Sequence, residues 1–319
     1  SGQGRDLCLL PVVHLRGEER WIPHEAALIK PPGLAQVLDY GRWNSSCNTC
    51  HSTDPRARWN NESKTYDTKV SEFGIACEAC HGPAEAHVNF QRASLTGTNI
   101  INTPDPIVNP STLDHRKSSQ VCGACHVAYQ NVDPHGNFIN YLPGTDYDKA
   151  RLPLNMSEHG QLPDLFWPDG TIRIGGREYN GLLESACHTK GEMSCLSCHQ
   201  MHQSGSDNRG SKEWANDQLH AGKMGDHACL QCHEAKDYRS TEHTHHPLSS
   251  SGSTCYNCHM PHTSYAVLTA IRSHTINSPM VDVGDKAGRP NACNLCHLDR
   301  TLEWTSKHLA DWYGQALPQ

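Results

Sequence analysis

Periodic apolar patterns are few along this chain. The run LCLLPVVHL (residues 7–15), followed by ERWIPHEAALI (19–29), reads as a strand or hairpin, rich in apolar and β-branched residues and interrupted by proline. In WPDGTIRIGGREYNG (167–181) the alternating TIRI lies between a D-G and a G-G pair, which predicts a β-hairpin on the surface. TLEWTSKHLADWYG (301–314) puts Leu302, Leu309 and Trp312 on or near one face of an amphipathic helix, for which packing is the plain reading. Most of the rest is short polar segments broken by Gly and Pro. The pattern predicts a mainly α fold with extensive irregular loop and little β.

Composition sharpens this. Leu, Ile, Val and Phe supply 53 of the 319 residues, about a sixth, a level associated with chains that build no core of their own. A folded protein with so few large aliphatic side chains needs another source of apolar volume. The unusual residues are 16 cysteines and 23 histidines.

Fourteen of those cysteines fall into seven copies of C-x-x-C-H: Cys47, Cys50 and His51; Cys77, Cys80 and His81; Cys122, Cys125 and His126; Cys195, Cys198 and His199; Cys229, Cys232 and His233; Cys255, Cys258 and His259; Cys293, Cys296 and His297. The motif is that of covalent haem c attachment. Two thiols bond to the haem vinyl groups, and the adjacent histidine reaches the iron from the same side. C-x-x-C pairs also bind zinc or perform thiol redox chemistry, but neither use requires a histidine behind every pair. Seven covalently bound haems, each with its iron, are therefore expected, one for about every 46 residues, and their macrocycles would form the core. Such a protein folds only when loaded, as small metal domains do.

Sixteen histidines remain after the seven proximal ones, more than bis-histidine ligation needs. His115 and His188 each precede the first cysteine of a motif by seven residues, and His220 and His246 by nine, which suggests shared roles. His202 and His262 stand three residues after a proximal histidine, where one helical turn cannot reach both faces of the same haem; as ligands they would serve a neighbour. In CEACHGPAEAH, Gly82 and Pro83 break the helix that holds His81, so that His87 points towards another haem. The expected distal ligands are His87, His115, His188, His202, His246, His262 and His274. His245 and His246 compete for one role; His135, His159, His227, His243 and His308 are read as solvated; His14, His24 and His220 stay open.

Residues 1–46 carry no motif and read as an N-terminal cap, residues 47–300 as the heptahaem domain with a Pro/Gly-rich insertion over 127–194, and residues 301–319 as a C-terminal helix. Cys8 and Cys187 are left over, as a disulfide pair or as two buried thiols. No run approaches the roughly 18 to 20 apolar residues of a membrane span. No charged-then-apolar leader opens the chain, and Ser1 in place of a methionine is expected of a processed or truncated product. Haem attachment of this kind is completed in an oxidising compartment, so the expected location is periplasmic or extracellular. The formal charge is −7, and seven ferric haems would bring it to roughly −14. That disfavours nucleic acid as a partner and favours basic redox proteins or extracellular electron acceptors.

The stretches CEACHGPAEAH, GEMSCLSCHQMH, STCYNCHMPHTSYAVLTAIRSH and RPNACNLCHLDRTLEWTSKHLADWYG resemble a multihaem cytochrome c family related to the tetrahaem nitrifier cytochrome, pentahaem nitrite reductase and octahaem hydroxylamine oxidoreductase. The resemblance covers roughly residues 40 to 314 and implies that His87, His262 and His274 are distal haem ligands. It also brings in an enzyme reading, reduction or oxidation of a small nitrogen or sulfur compound at one open haem. The C-x-x-C-K of the nitrite reductases does not occur here, which favours an electron carrier. Copies stacked head to tail as a filament would extend such a chain of haems, with His14, His24 or His308 as ligands from a neighbouring copy.

Overall fold

The computed structural model describes residues 6–27, 42–97, 103–131, 140–160, 162–281 and 288–318. These residues form two compact units, one ending at Leu154 and the other beginning at Asn155. The boundary lies inside the stretch 127–194, whose first part belongs to one unit and its second part to the other. Short helices and irregular loops dominate, and the sheet is confined to two-stranded antiparallel ribbons among the described residues. Among the described residues no helix is long and apolar enough to cross a membrane.

The first unit opens with β1 (Val12–Leu15) and β2 (Arg20–Pro23), paired so that Val13 faces Ile22 and His14 faces Trp21. A hairpin thus stands where the apolar runs place one. Gly82, at φ +74°, ends the turn Glu78–His81, and α1 (Glu85–Leu95) begins after Pro83. The Asp114 carboxylate accepts from the backbone N–H groups of Arg116 and Lys117 and so caps α2 (His115–Gly123). Those hydrogen bonds hold its carboxyl below the ordinary carboxylate range. Beyond α2, β3 (Tyr129–Asn131) pairs with β4 (Arg151–Pro153), and the Arg151 guanidinium lies over the Tyr129 ring at 4.5 Å. Val121, Val127, Ala128, Tyr147 and Ala150 are buried around this ribbon. The Tyr147 hydroxyl donates to the Gly123 carbonyl at 2.8 Å, tying the ribbon to the end of α2. Tyr147→Phe leaves that carbonyl buried without its donor and should destabilise the protein by about 1–2 kcal/mol, read as a lower thermal midpoint with haem content unchanged.

The second unit has its apolar centre at Leu165, Phe166, Trp167, Ile172, Ile174, Tyr179 and Leu182, all buried. The TIRI segment expected at the surface is part of it. It forms a tight turn closed by a Phe166–Ile172 bridge, and Ile174 bridges to Tyr265. Its buried arginine is accommodated because Arg173 lies over the rings of Trp167 (5.1 Å) and Tyr265 (5.4 Å). The first glycine after it serves close packing, since a Cβ on Gly175 would meet Ile271 Cδ1 at 3.0 Å, and Gly176 takes the left-handed region at φ +77°. Helix α3 (Glu178–Leu183) leads to Ser185, and β5 (His262–Ala266) pairs with β6 (Thr269–Arg272). The chain closes with α4 (Leu302–Tyr313), capped by the Thr301 hydroxyl, which accepts from the Trp304 N–H, and ended by Gly314 at φ +66°. Leu309 on this helix is buried.

Candidate haem-binding sites

Each C-x-x-C-H motif needs its two sulfurs and its imidazole on one side of the backbone. Positions i, i+3 and i+4 share a face of a helical turn, and the motifs adopt that turn. The N–H of the histidine donates to the carbonyl of the first cysteine at 2.9 Å in the motifs starting at Cys77, Cys122, Cys195 and Cys293, and at 3.0 Å in the one starting at Cys229. The second cysteine donates to the same carbonyl at 3.1–3.2 Å in these five. The first and sixth motifs lie within helical segments, Trp43–Cys47 continued by Asn48–His51, and Cys255–His259. The seven peptides are one local template, set by spacing alone.

The motif sulfurs of each unit lie close together. The Cys50 thiol donates to the Cys125 carbonyl at 3.5 Å, and Cys125 is also within electrostatic reach of Cys80. The third motif therefore neighbours both the first and the second. In the second unit the Cys255 thiol donates to the Cys229 sulfur, which raises Cys255 and lowers Cys229. Cys198 is within electrostatic reach of Cys229, and Cys258 of Cys296. Successive motifs from the fourth to the seventh are thus neighbours, and Tyr256 of the sixth is also within electrostatic reach of Cys198 of the fourth. Among the described residues no group of three or more His, Cys, Asp or Glu side chains gathers as a metal cage. Cys8 and Cys187 are both free thiols, the first exposed and the second half-buried.

Imidazole hydrogen bonds separate the histidines into two sets. A carbonyl can only accept, so a histidine whose Nδ1 contacts one carries its proton there and keeps a lone pair on Nε2, the state of a metal ligand. Among the motif histidines, His81 donates from Nδ1 to Val108 O at 2.7 Å, His199 to Asp217 O at 2.9 Å and His259 to Asn277 O at 3.0 Å. Among the others, His188 donates to Met193 O (2.7 Å), His246 to Thr244 O (2.6 Å), His262 to Ala270 O (3.1 Å) and His274 to Arg272 O (3.2 Å). His87 donates to the Asp105 carboxylate at 2.6 Å, and Gln91 donates to its other oxygen at 2.7 Å. The His87 bond first, then that of Gln91, holds the Asp105 carboxyl below its usual range. His220 has the opposite tautomer: its Nδ1 accepts from the Gly222 N–H at 3.2 Å, which leaves the proton on Nε2.

Facing imidazole pairs occur among the described residues. His199 and His274 have ring centres 6.2 Å apart and planes 21° apart; for His243 and His259 the values are 6.2 Å and 6°; for His246 and His297 they are 5.9 Å and 37°. These separations exceed that of an overlapping stack such as His245 on Trp312, at 4.1 Å and 7°. Each pair joins one motif histidine to one from elsewhere in the chain. Burial, then the neighbouring His259 and His245, pushes His243 below the usual imidazole range. Burial chiefly does the same to His259. Both shifts favour the neutral form, the one that binds metal.

Each partner is positioned by specific backbone contacts. The Ser185 hydroxyl donates to the His274 carbonyl at 2.8 Å and accepts from the Ile276 N–H at 2.9 Å. A Cβ on Gly181 would sit 2.7 Å from Thr275 N, so α3 lies directly against this segment. Gly252 leaves room for the His246 ring, since a Cβ there would come within 2.5 Å of His246 Cγ.

Equal spacing does not produce equal structure. His115 opens α2 and lies two helical turns from Cys122, whereas His188 is fully buried in the short turn Ala186–Thr189, with a loop between it and Cys195. His220 and His246, both nine residues before a motif, hold opposite tautomers. His202 and His262 are exposed, His87 is half-buried in the first turn of α1, and His135 lies outside the described residues. His243, read from sequence as solvated because no motif or repeated spacing marks it, is instead partly buried and faces His259; the run HTHH around it is the one local signal.

The cytochrome c552 family profile matches residues 27–155. The chain is a multihaem c-type cytochrome. Over 301 residues it is 22% identical to the multihaem cytochrome MtrA of Shewanella baltica, an alignment covering 92% of this chain and 65% of that protein. It therefore spans just under two thirds of the length of this curated relative. Among solved structures it resembles the outer cell wall cytochrome OcwA, with a TM-score of 0.63 and 20% identity over 97% of this chain and 70% of the other. That likeness concerns the fold. When bound, haem c supplies this cytochrome with a one-electron Fe(III)/Fe(II) couple. The residues fit the group: seven thiol pairs on a common turn, each followed by a histidine, and several of those with Nδ1 already tied to the backbone.

Proposed function

We propose that the chain binds seven haems c, mostly ligated by two histidines, and carries electrons along them outside the cytoplasm. The paired imidazoles are the observation that carries this reading. Allowing about 2 Å for each metal–nitrogen bond and about 1 Å from each nitrogen to its ring centre, a bis-histidine iron sets the ring centres about 6 Å apart. The separations at His199–His274, His243–His259 and His246–His297 match that span. His87, His115, His188, His202 and His262 are the five candidates for the four distal positions that remain on this reading, and His220 is not one. A haem held by two strong ligands passes electrons and offers no coordination site to substrate.

The sequence of sulfur neighbours supports a conducting order of fourth, fifth, sixth and seventh haem in the second unit. In the first unit the third haem stands between the first and the second. Other redox proteins or extracellular electron acceptors are the partners on this reading, and head-to-tail copies are one way to extend the path. The names of MtrA and OcwA, a multihaem cytochrome and an outer cell wall cytochrome, accord with an extracytoplasmic role. The kinship with the octahaem hydroxylamine oxidoreductase group belongs to the same reading, as one of ancestry and not of activity.

Haem content per chain and the response of the reduced protein to carbon monoxide test the proposal together. Seven haems are expected, with low-spin spectra and no carbon monoxide adduct at the fourth, sixth or seventh. Fewer haems, or a high-spin signal from those three sites, would overturn it.

A further inference from the structure

Two facing imidazole pairs draw one member each from a single short segment: His243 meets His259, and His246 meets His297. The helical turn Thr241–Thr244 ends at His245, in the left-handed region at φ +53° and ψ 25°. That conformation is unfavourable for a residue with a Cβ. It turns the chain so that His243 and His246, three positions apart, serve different partners. Something must hold it.

Helix α4 makes the contacts that do so. The Trp312 ring lies flat on that of His245, 4.1 Å away and 7° from parallel. The Tyr313 hydroxyl donates to the His243 carbonyl, and the Tyr313 ring meets His243 and His245 edge-on. One turn apart on the same face of α4, Trp304, His308 and Trp312 form a continuous series, with ring centres at 4.2 Å and 4.9 Å. Trp304 packs on His297 at 5.1 Å, and the Thr305 hydroxyl binds Asn294 of the seventh motif at 2.8 Å. One helix therefore touches the segment that supplies two distal imidazoles and also the proximal imidazole of one of those pairs.

We propose that Trp312 and His245 are positioning residues: their stack clamps residues 243–246 so that one segment delivers axial ligands to two successive irons, those of the sixth and seventh haems. His245 is then the clamp and not a ligand. The inference rests on the bis-histidine reading above. Fixing the orientation of a metal-bound imidazole through its surroundings is a general means of tuning a metal site; here one contact serves two sites.

The test compares Trp312→Ala, Trp312→Phe, His245→Ala, His243→Ala and His246→Ala in the haem-loaded protein, by haem content, electron paramagnetic resonance and carbon monoxide binding after reduction. His243→Ala and His246→Ala should each open one haem, giving a high-spin signal of one equivalent. Trp312→Ala should loosen both sites and give a signal approaching two equivalents with seven haems still attached, and Trp312→Phe should restore the low-spin spectrum. Should Trp312→Ala fail to accumulate, His245→Ala removes the other half of the stack and must give the same two-site signal. Opened haems in both ligand variants beside wild-type spectra for Trp312→Ala and His245→Ala would refute the clamp and leave the ligation intact. Unchanged low-spin spectra in the two ligand variants would refute the ligation, and the clamp with it.

Discussion

Produced without covalent haem attachment, the polypeptide will not fold: its far-ultraviolet circular dichroism will be that of a disordered chain, and limited proteolysis will leave no protected fragment. Among the described residues most of the large buried apolar side chains fall in two small groups, around Val121, Val127 and Tyr147 in one unit and around Phe166, Trp167 and Ile172 in the other. Conformational entropy opposes folding by about 1–2 kcal/mol per residue from the backbone alone, and groups of this size cannot offset it over 319 residues. Seven macrocycles would supply the missing apolar volume, so attachment and folding are a single event. A cooperative melt from the haem-free chain would show that the side chains suffice, and that the haems are passengers in the fold.

Gly181→Ala should have a large effect in the second unit. The added Cβ would lie 2.7 Å from Thr275 N and 2.8 Å from His274 C, both backbone atoms that cannot swing aside. Overpacking of this kind costs about 1–3 kcal/mol. The segment that must yield carries His274, which faces His199. The variant should therefore lower the thermal midpoint and also convert one haem, that of the motif ending in His199, towards the high-spin state. Gly175→Ala is the control, because its Cβ meets the flexible end of Ile271 at 3.0 Å and the Ala266 Cβ at 3.2 Å, while the nearest backbone atom, Tyr265 O, is 3.5 Å away. It should keep seven low-spin haems. Equal spectra for the two glycine variants would contradict the assignment of His274 to the iron of that motif.

How far the site could be read in advance differs from residue to residue. C-x-x-C-H acts over five residues, and one helical turn satisfies it, so every motif was legible without tertiary knowledge. The Gly82–Pro83 break before α1 and the hairpin of β1 and β2 were also local, as was α4, whose capping threonine and terminal glycine stand in the sequence. TIRI was misplaced because alternation reveals a turn and a strand but not what covers them. Arg173 looked like a surface residue until Trp167 and Tyr265 were seen against it. His243 had no motif to mark it and ends opposite His259. His245, ranked as a rival of His246, stacks instead on Trp312, 67 positions further along the chain.

The sequence by itself determined the chemistry this chain offers: which thiols are paired for haem attachment, which histidine stands behind each pair, and that large aliphatic side chains are few. Those properties depend on composition and on spacings within one turn of helix. The tertiary structure alone decided which distant histidine faces which motif, the order in which the motifs neighbour one another, and the tautomer each imidazole keeps. Such pairings are set by where the chain returns, through contacts such as Gly181 on Thr275 and Trp312 on His245, and no local pattern encodes them.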